Sequence, residues 1–260
     1  ALPNAYFLGF TGTTIDFDDK STRAIFVEYI HIYDMHAALI DKRVVPIYYE
    51  SKLVKLGKNE DIFKELDQDV DDITEFEEQR NKDYLKSKWS TIEALVGTES
   101  RIETIAKIIV KHFELRQSVM DGKALIVCMS RRICVDLHDA IKKLKPDWYN
   151  KENGKGKMKI IMTGSAGDGK EWQEHIRTKN KRREMGELFK VPDSEFRVAI
   201  VRDMWLTGFD VPSLNTMYLD KPTRQHNLMQ AIARVNRVYK DKQGGIVVDF
   251  IGIGDELKKA

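Results

Sequence analysis

Cysteine is nearly absent: the 260 residues include only two, Cys128 and Cys134. That excludes a disulfide-stapled fold. Neither has the neighbouring ligands of a metal site, so both read as buried free thiols suited to a reducing cytosol. Long apolar runs are missing too. No stretch reaches the roughly 18 residues a membrane span requires, and no signal peptide is evident. Charge of one sign is also lacking, because 43 basic residues face 41 acidic ones and leave a net +2. Any surface for a polyanion must therefore be local. What remains is the profile of a soluble globular chain, 42% hydrophobic and 32% charged. Its length suits one large domain, or one and a half small ones, burying roughly 70–75% of the surface. The chain enters an apolar strand within a few residues of Ala1 and stops inside a helix-like Asp255-Glu-Leu-Lys-Lys-Ala260, so it reads as a piece of something longer.

Short apolar runs alternate with helical patterns, the signature of a parallel α/β sheet. Strands are expected at 6–10, 44–50, 124–129, 159–162, 197–201, 216–219 and 245–250. Several are continuously apolar, as strands covered on both faces should be. Helices are expected at 34–41, 100–120, 131–144, 171–189 and 224–238. Two stretches interrupt the alternation. Residues 59–78 are dense in Asp and Glu and read as a solvated helical excursion, with an acidic contact for a partner subunit as the alternative. The loop Tyr149-Asn-Lys-Glu-Asn-Gly-Lys-Gly-Lys157 is polar and rich in Gly and Lys, a composition that tolerates length variation.

Gly164-Ser-Ala-Gly-Asp-Gly-Lys170 fits the G-x-x-x-x-G-K pattern of a phosphate-binding loop. The next residue is Glu171, where that loop needs Ser or Thr to hold Mg²⁺, and Asp168 adds a carboxylate where amides should cradle phosphate. A strand-to-helix turn is the preferred reading. Thr11-Gly-Thr-Thr14 follows the first strand and shows only a close backbone approach at a hydroxyl-rich turn. Thr207-Gly208-Phe-Asp210 says more. Gly208 permits positive φ or approach of a ligand, Thr207 could bind a backbone phosphate, and Asp210 could bind a ribose hydroxyl or orient an arginine. A capped turn explains the same residues.

Gln230-Ala-Ile-Ala-Arg234-Val-Asn-Arg237 is the most informative stretch. On a helix, positions i, i+4 and i+7 share one face. The residues around them are apolar nearly all round, so the helix is expected to be buried, and buried arginines need an anion, a nucleotide phosphate or a carboxylate across a cleft. Planar guanidinium forks suit phosphate oxygens. Basic groups also gather at Arg131-Arg132, at a helix N-terminus, and from Arg177 through Arg183. The second group could track a DNA backbone or simply form a solvated face.

These residues carry a resemblance. Gln230–Arg237 resembles motif VI of superfamily 2 helicases, with Ala233 and Asn236 where many members have Gly. Trp205 to Asp210 resembles motif V, Thr11-Gly12-Thr13 motif III, Ile126 to Arg132 motif IV, and Thr163-Gly164 a small DNA-gripping motif. With Tyr33-Asp-Met-His36 and Val45-Pro-Ile-Tyr-Tyr-Glu-Ser51, the combination is similar to the restriction (R) subunit of type I restriction-modification enzymes, nearly end to end.

The resemblance implies a RecA-like parallel sheet with helices on both faces. It implies that residues 1–20 close a first motor domain and 21–254 form the second, with a helical and acidic insertion at about 55–98. Residues 255–260 would start a following helical region. ATP and Mg²⁺ would be bound mainly by the first motor domain, whose Walker motifs lie upstream; no metal ligands are implied here. Arg234, Arg237 and Gln230 would complete catalysis, with Gly208 and Asp210 beside the nucleotide. Thr11, Gly12 and Thr13 would couple hydrolysis to closure, and Thr163, Thr207, Arg131 and Arg202 would hold DNA. Implied partners are double-stranded DNA, methyltransferase (M) and specificity (S) subunits, and the first motor and nuclease domains of the same full-length chain. No membrane is implied, and the location is bacterial or archaeal cytoplasm.

Overall fold

Apolar, β-branched runs pair in parallel into one open sheet: β1 (Ile47–Ser51), β2 (Lys123–Cys128), β3 (Met158–Ile161), β4 (Val198–Val201), β5 (Leu214–Asp220) and β6 (Gly245–Asp249). Their spatial order is β1-β6-β5-β2-β4-β3, and every ladder is parallel. The structure, a computed structural model, describes residues 30–54, 90, 92–165, 167–223 and 225–252. The expected strand at 6–10, the Thr11-Gly12-Thr13 turn, the acidic 59–78 stretch and the 255–260 segment lie outside those residues.

Strand β2 shows why the middle of the sheet reads as a continuous apolar run. Ala124, Ile126 and Cys128 face one core, and Leu125 and Val127 face the other, because successive side chains alternate across a strand. A short helix α1 (Met35–Ile40) precedes β1, and both faces are covered by α2 (Glu99–Val119), α3 (Arg131–Leu144), α4 (Lys179–Lys190) and α5 (Gln225–Ile232). Ile105, Ile109 and Phe113 of α2 and Ile133, Leu137 and Ile141 of α3 build the first core. Met185 and Phe189 of α4 join Leu228 and Ile232 of α5 in the second. Cys128 and Cys134 are buried free thiols in the first core, as expected. Among the described residues no helix is long and apolar enough to cross a membrane.

Helix α3 matches its expected bounds because Ser130 caps it, accepting from the Ile133 amide at 3.2 Å. Two other expectations need correction. The helix at 171–189 is broken into a single 3₁₀ turn, Lys170–Trp172, and α4. Ile176 bridges Met162 between them, and Thr178 caps α4 by accepting from the Lys181 amide. The helix at 224–238 ends at Ile232. There the Arg234 and Val235 amides reach back three residues, to Ala231 and Ile232, at 3.0 Å each. The last turn tightens and stops. Asn236 then accepts from the Val45 amide at 2.7 Å, and Arg237 forms an antiparallel bridge with Val44. Backbone groups that a helix would have used are satisfied by extended pairing instead.

Strands β2 and β5 are neighbours whose onward connections leave in opposite directions, toward β3 and toward β6. At the C-terminal end of β5 lies a buried ion pair, with Arg101 Nη2 at 2.7 Å and Nη1 at 3.1 Å from the two Asp220 oxygens. Burial pushes the Asp220 carboxyl up, and the Arg101 fork opposes it. Arg101 also donates to the Val96 and Phe250 carbonyls at 3.1 and 3.2 Å, tying helix and strand ends together.

Candidate nucleotide and DNA-backbone site

After β4 the chain turns sharply. Trp205 and Gly208 take φ of +69° and +67°, which costs glycine little and other residues more. Stacking holds the turn in place. The Trp205 and Phe209 ring centroids are 4.3 Å apart at 15°, and Phe189 of α4 lies 5.3 Å from Trp205. Gly186 makes room for the stack, since a Cβ there would meet the Phe209 ring at 3.3 Å.

This turn meets the arginine segment. Arg234 donates to the Gln230 carbonyl at 3.1 Å and to the Phe209 carbonyl at 3.2 Å. Arg237 Nε lies 3.3 Å from Asp210. The expected group of Gln230, Arg234, Arg237, Gly208 and Asp210 is therefore brought together, but not by one helical face, because α5 has ended before either arginine. The expectation of two buried arginines is corrected as well. Arg234 is half-buried, and burial followed by the nearby Arg237 charge lowers its pKa while Asp210 opposes them. The Arg237 side chain is 45% exposed, and its Asp210 partner is 62% exposed. An exposed pair of this kind contributes little stability, so Asp210 orients the guanidinium without hiding it. Behind the pair, the buried Asn236 amide contacts Met35 Sδ at 3.5 Å.

The second group lies along an edge of the sheet. Strands β2, β4 and β3 are neighbours, and Arg131, Arg202 and Thr163 follow their C-terminal ends, so the three share that edge. Thr163 and Thr207 are exposed. Arg202 is half-exposed, 3.1 Å from Asp203. Arg131 donates to the Thr163 carbonyl at 3.0 Å and to Asp168 at 2.6 Å, and its guanidinium lies 5.3 Å from the Trp172 ring centre. Thr11, Gly12 and Thr13 fall outside the described residues. Arg177, grouped in sequence with the basic run to Arg183, is buried; it donates to Asn153 at 2.7 Å and to the Ile160 and His175 carbonyls at 3.0 and 2.9 Å. Lys179, Lys181 and Arg183 remain exposed on α4.

The Gly164–Lys170 loop is no phosphate-binding loop. The Ser165 amide is turned onto the Asp168 carboxylate, and Lys170 opens a three-residue 3₁₀ turn in place of the α-helix whose N-terminus would favour phosphate. Sequence reasoning missed the Phe209 carbonyl, the Val44–Val45 support of the arginine segment and the Asp168–Arg131 pair. Only the last left a signal, in the out-of-place carboxylate of Asp168.

Residues 136–252 match the family model for type I restriction enzyme subunit R domain 3, and residues 1–83 match that for SWI2/SNF2 ATPases. The endonuclease subunit of the HindI type I restriction enzyme from Haemophilus influenzae is 45% identical over 100% of this chain. The chain belongs to the type I restriction enzyme R-subunit family. This R-subunit segment spans 24% of the length of that relative. Its fold is shared by a fragment of an HsdR subunit assigned to a type I restriction enzyme from Vibrio vulnificus, with a TM-score of 0.63 at 15% identity. That match covers 95% of this chain and 40% of the other. The ATP-dependent type ISP restriction-modification enzyme LlaBIII, solved bound to DNA, aligns with a TM-score of 0.52 at 9% identity. It covers 89% of this chain and 13% of LlaBIII.

Proposed function

We propose that this chain is the second motor domain of an R subunit that translocates duplex DNA with ATP and drives its cleavage. The observation that carries the reading is the convergence of Arg234 and Arg237 on the loop of Gly208 and Asp210, Arg234 reaching the Phe209 carbonyl and Arg237 the exposed Asp210 carboxylate. Arg234, held by two backbone carbonyls, and Arg237, paired with a single exposed anion, leave positive charge to spare, which fits a polyphosphate.

In this reading residues 1–20 end the first motor domain and 21–254 form the second, with the insertion at about 55–98, and 255–260 begin a further helical region. ATP and Mg²⁺ are held mainly by the first motor domain. When bound, ATP supplies the phosphoryl group whose transfer to water drives the motion. Arg234 and Arg237 approach from across the cleft and stabilise negative charge on that group, one of them as an arginine finger. Gln230 and Asp210 hold the two guanidiniums in position. Thr11, Gly12 and Thr13 couple hydrolysis to closure between the domains. Thr163, Thr207, Arg131 and Arg202 hold backbone phosphates, which positions DNA without reading its sequence. Sequence choice belongs to a specificity subunit, modification to a methyltransferase subunit, and cleavage to a nuclease domain of the full-length chain. All of this takes place in a bacterial or archaeal cytoplasm.

Arg234→Ala and Arg237→Ala in the full-length subunit test the reading. DNA-stimulated ATPase activity should fall by about 10³-fold or more in at least one variant. Normal ATPase and translocation in both would overturn it.

A further inference from the structure

We propose that Asp168 is an internal stand-in for a DNA phosphate, occupying Arg131 until backbone phosphate displaces it. The inference rests on the reading that Arg131 and Thr163 meet the DNA backbone. Asp168 Oδ2 accepts from Arg131 Nη1 at 2.6 Å and also from the Ser165 amide. A guanidinium and a backbone amide converging on one anionic oxygen are what a phosphate oxygen seeks. Arg131 is braced from other directions by the Thr163 carbonyl at 3.0 Å and by the Trp172 ring. Its guanidinium therefore keeps its place whichever anion it holds.

The acid is enclosed more than the base: the Asp168 side chain is 5% exposed and that of Arg131 27%. Hydrogen bonds from Arg131 first, and from the Ser165 amide, hold the Asp168 carboxyl below the usual carboxylate range, so it is charged at neutral pH. A fixed carboxylate on an edge shared with Thr163 and Arg202 repels an incoming phosphate until it gives way. For a motor this has a use. Each step requires the backbone to be let go, and an anion tethered beside Arg131 recaptures the guanidinium as DNA leaves.

The test is equilibrium binding of a nonspecific DNA duplex by the full-length subunit, followed by fluorescence anisotropy over a range of salt. Asp168→Asn keeps the size of the side chain and removes its charge. It should bind about two- to fivefold more tightly, since an ion pair at a partly exposed arginine no longer has to be broken. Asp168→Ser is a second neutral variant and decides the matter if Asn disturbs folding. Arg131→Ala should bind more weakly, with the slope of log affinity against log salt shallower by about 0.9. The Arg131→Ala/Asp168→Asn double variant should bind like Arg131→Ala, because the gain passes through Arg131. If Arg131→Ala weakens binding but neither neutral variant tightens it, Asp168 only shapes the loop and the inference falls alone. If Arg131→Ala changes neither affinity nor slope, the placement of DNA on this edge falls with it.

Discussion

His175 is a neutral side chain with a penalty in acid. Its ring is buried, packed edge-on against His138 with centroids 4.7 Å apart. Burial, and then the neighbouring His138, push its pKa down to about 4, while Glu174 pulls the other way. In an unfolded chain the same ring takes up a proton near pH 6.5. Between those values the unfolded state binds a proton that the folded state refuses, so stability falls as pH falls from about 6.5 toward 4. The melting temperature should drop across that window, and His175→Gln should lose less of it. Equal losses in both proteins, measured by thermal denaturation, would assign the acid sensitivity elsewhere. Arg234 and Arg237 illustrate the opposite tactic: Arg234 is half-buried and braced by two carbonyls, and Arg237 stays near the surface beside the exposed Asp210.

The turn after β4 owes its shape to Gly208. A Cβ added there would meet nothing within 4 Å, yet φ is +67°. The whole effect of Gly208→Ala is therefore backbone strain, about 1–2 kcal/mol, readable as a lower urea midpoint with an unchanged m-value. That glycine was legible in the sequence, as was α3 between its Ser130 cap and Leu144, because turn chemistry and capping are local. The central strands were legible for a related reason, since burial on both faces leaves an unbroken apolar run. Helix α5 was not. Its apolar, helix-compatible pattern continues to Val238, and what stops it at Ile232 is pairing with Val44 and Val45, far away in the chain. The break before α4 was missed because Arg177 looked like one more surface cation, when the fold buries it among carbonyls. The residue types of the arginine site could be read; the backbone that carries them could not.

In the assembled molecule, Arg101 and Asp220 join segments that are distant in sequence. The pair is nearly sealed, with each side chain 2% exposed. From α2, Arg101 reaches the ends of β5 and β6 at once. Asp220→Ala leaves a buried guanidinium without its anion and should destabilise the fold by about 3–5 kcal/mol. Guanidinium chloride unfolding would show it, and a change under about 1 kcal/mol would mean water reaches Arg101.

The arginine segment leans on a distant part of the chain: Asn236 and Met35 of α1, in contact, are 201 positions apart. Contacts so remote are the slowest to close, because the loop entropy must be lost before they return anything. During refolding, helices such as α2 and α3 can recover from local contacts while Arg234 and Arg237 still have no fixed address. The arginine site is then assembled in the last act of folding, and a chain that looks native by its helix content can still lack it.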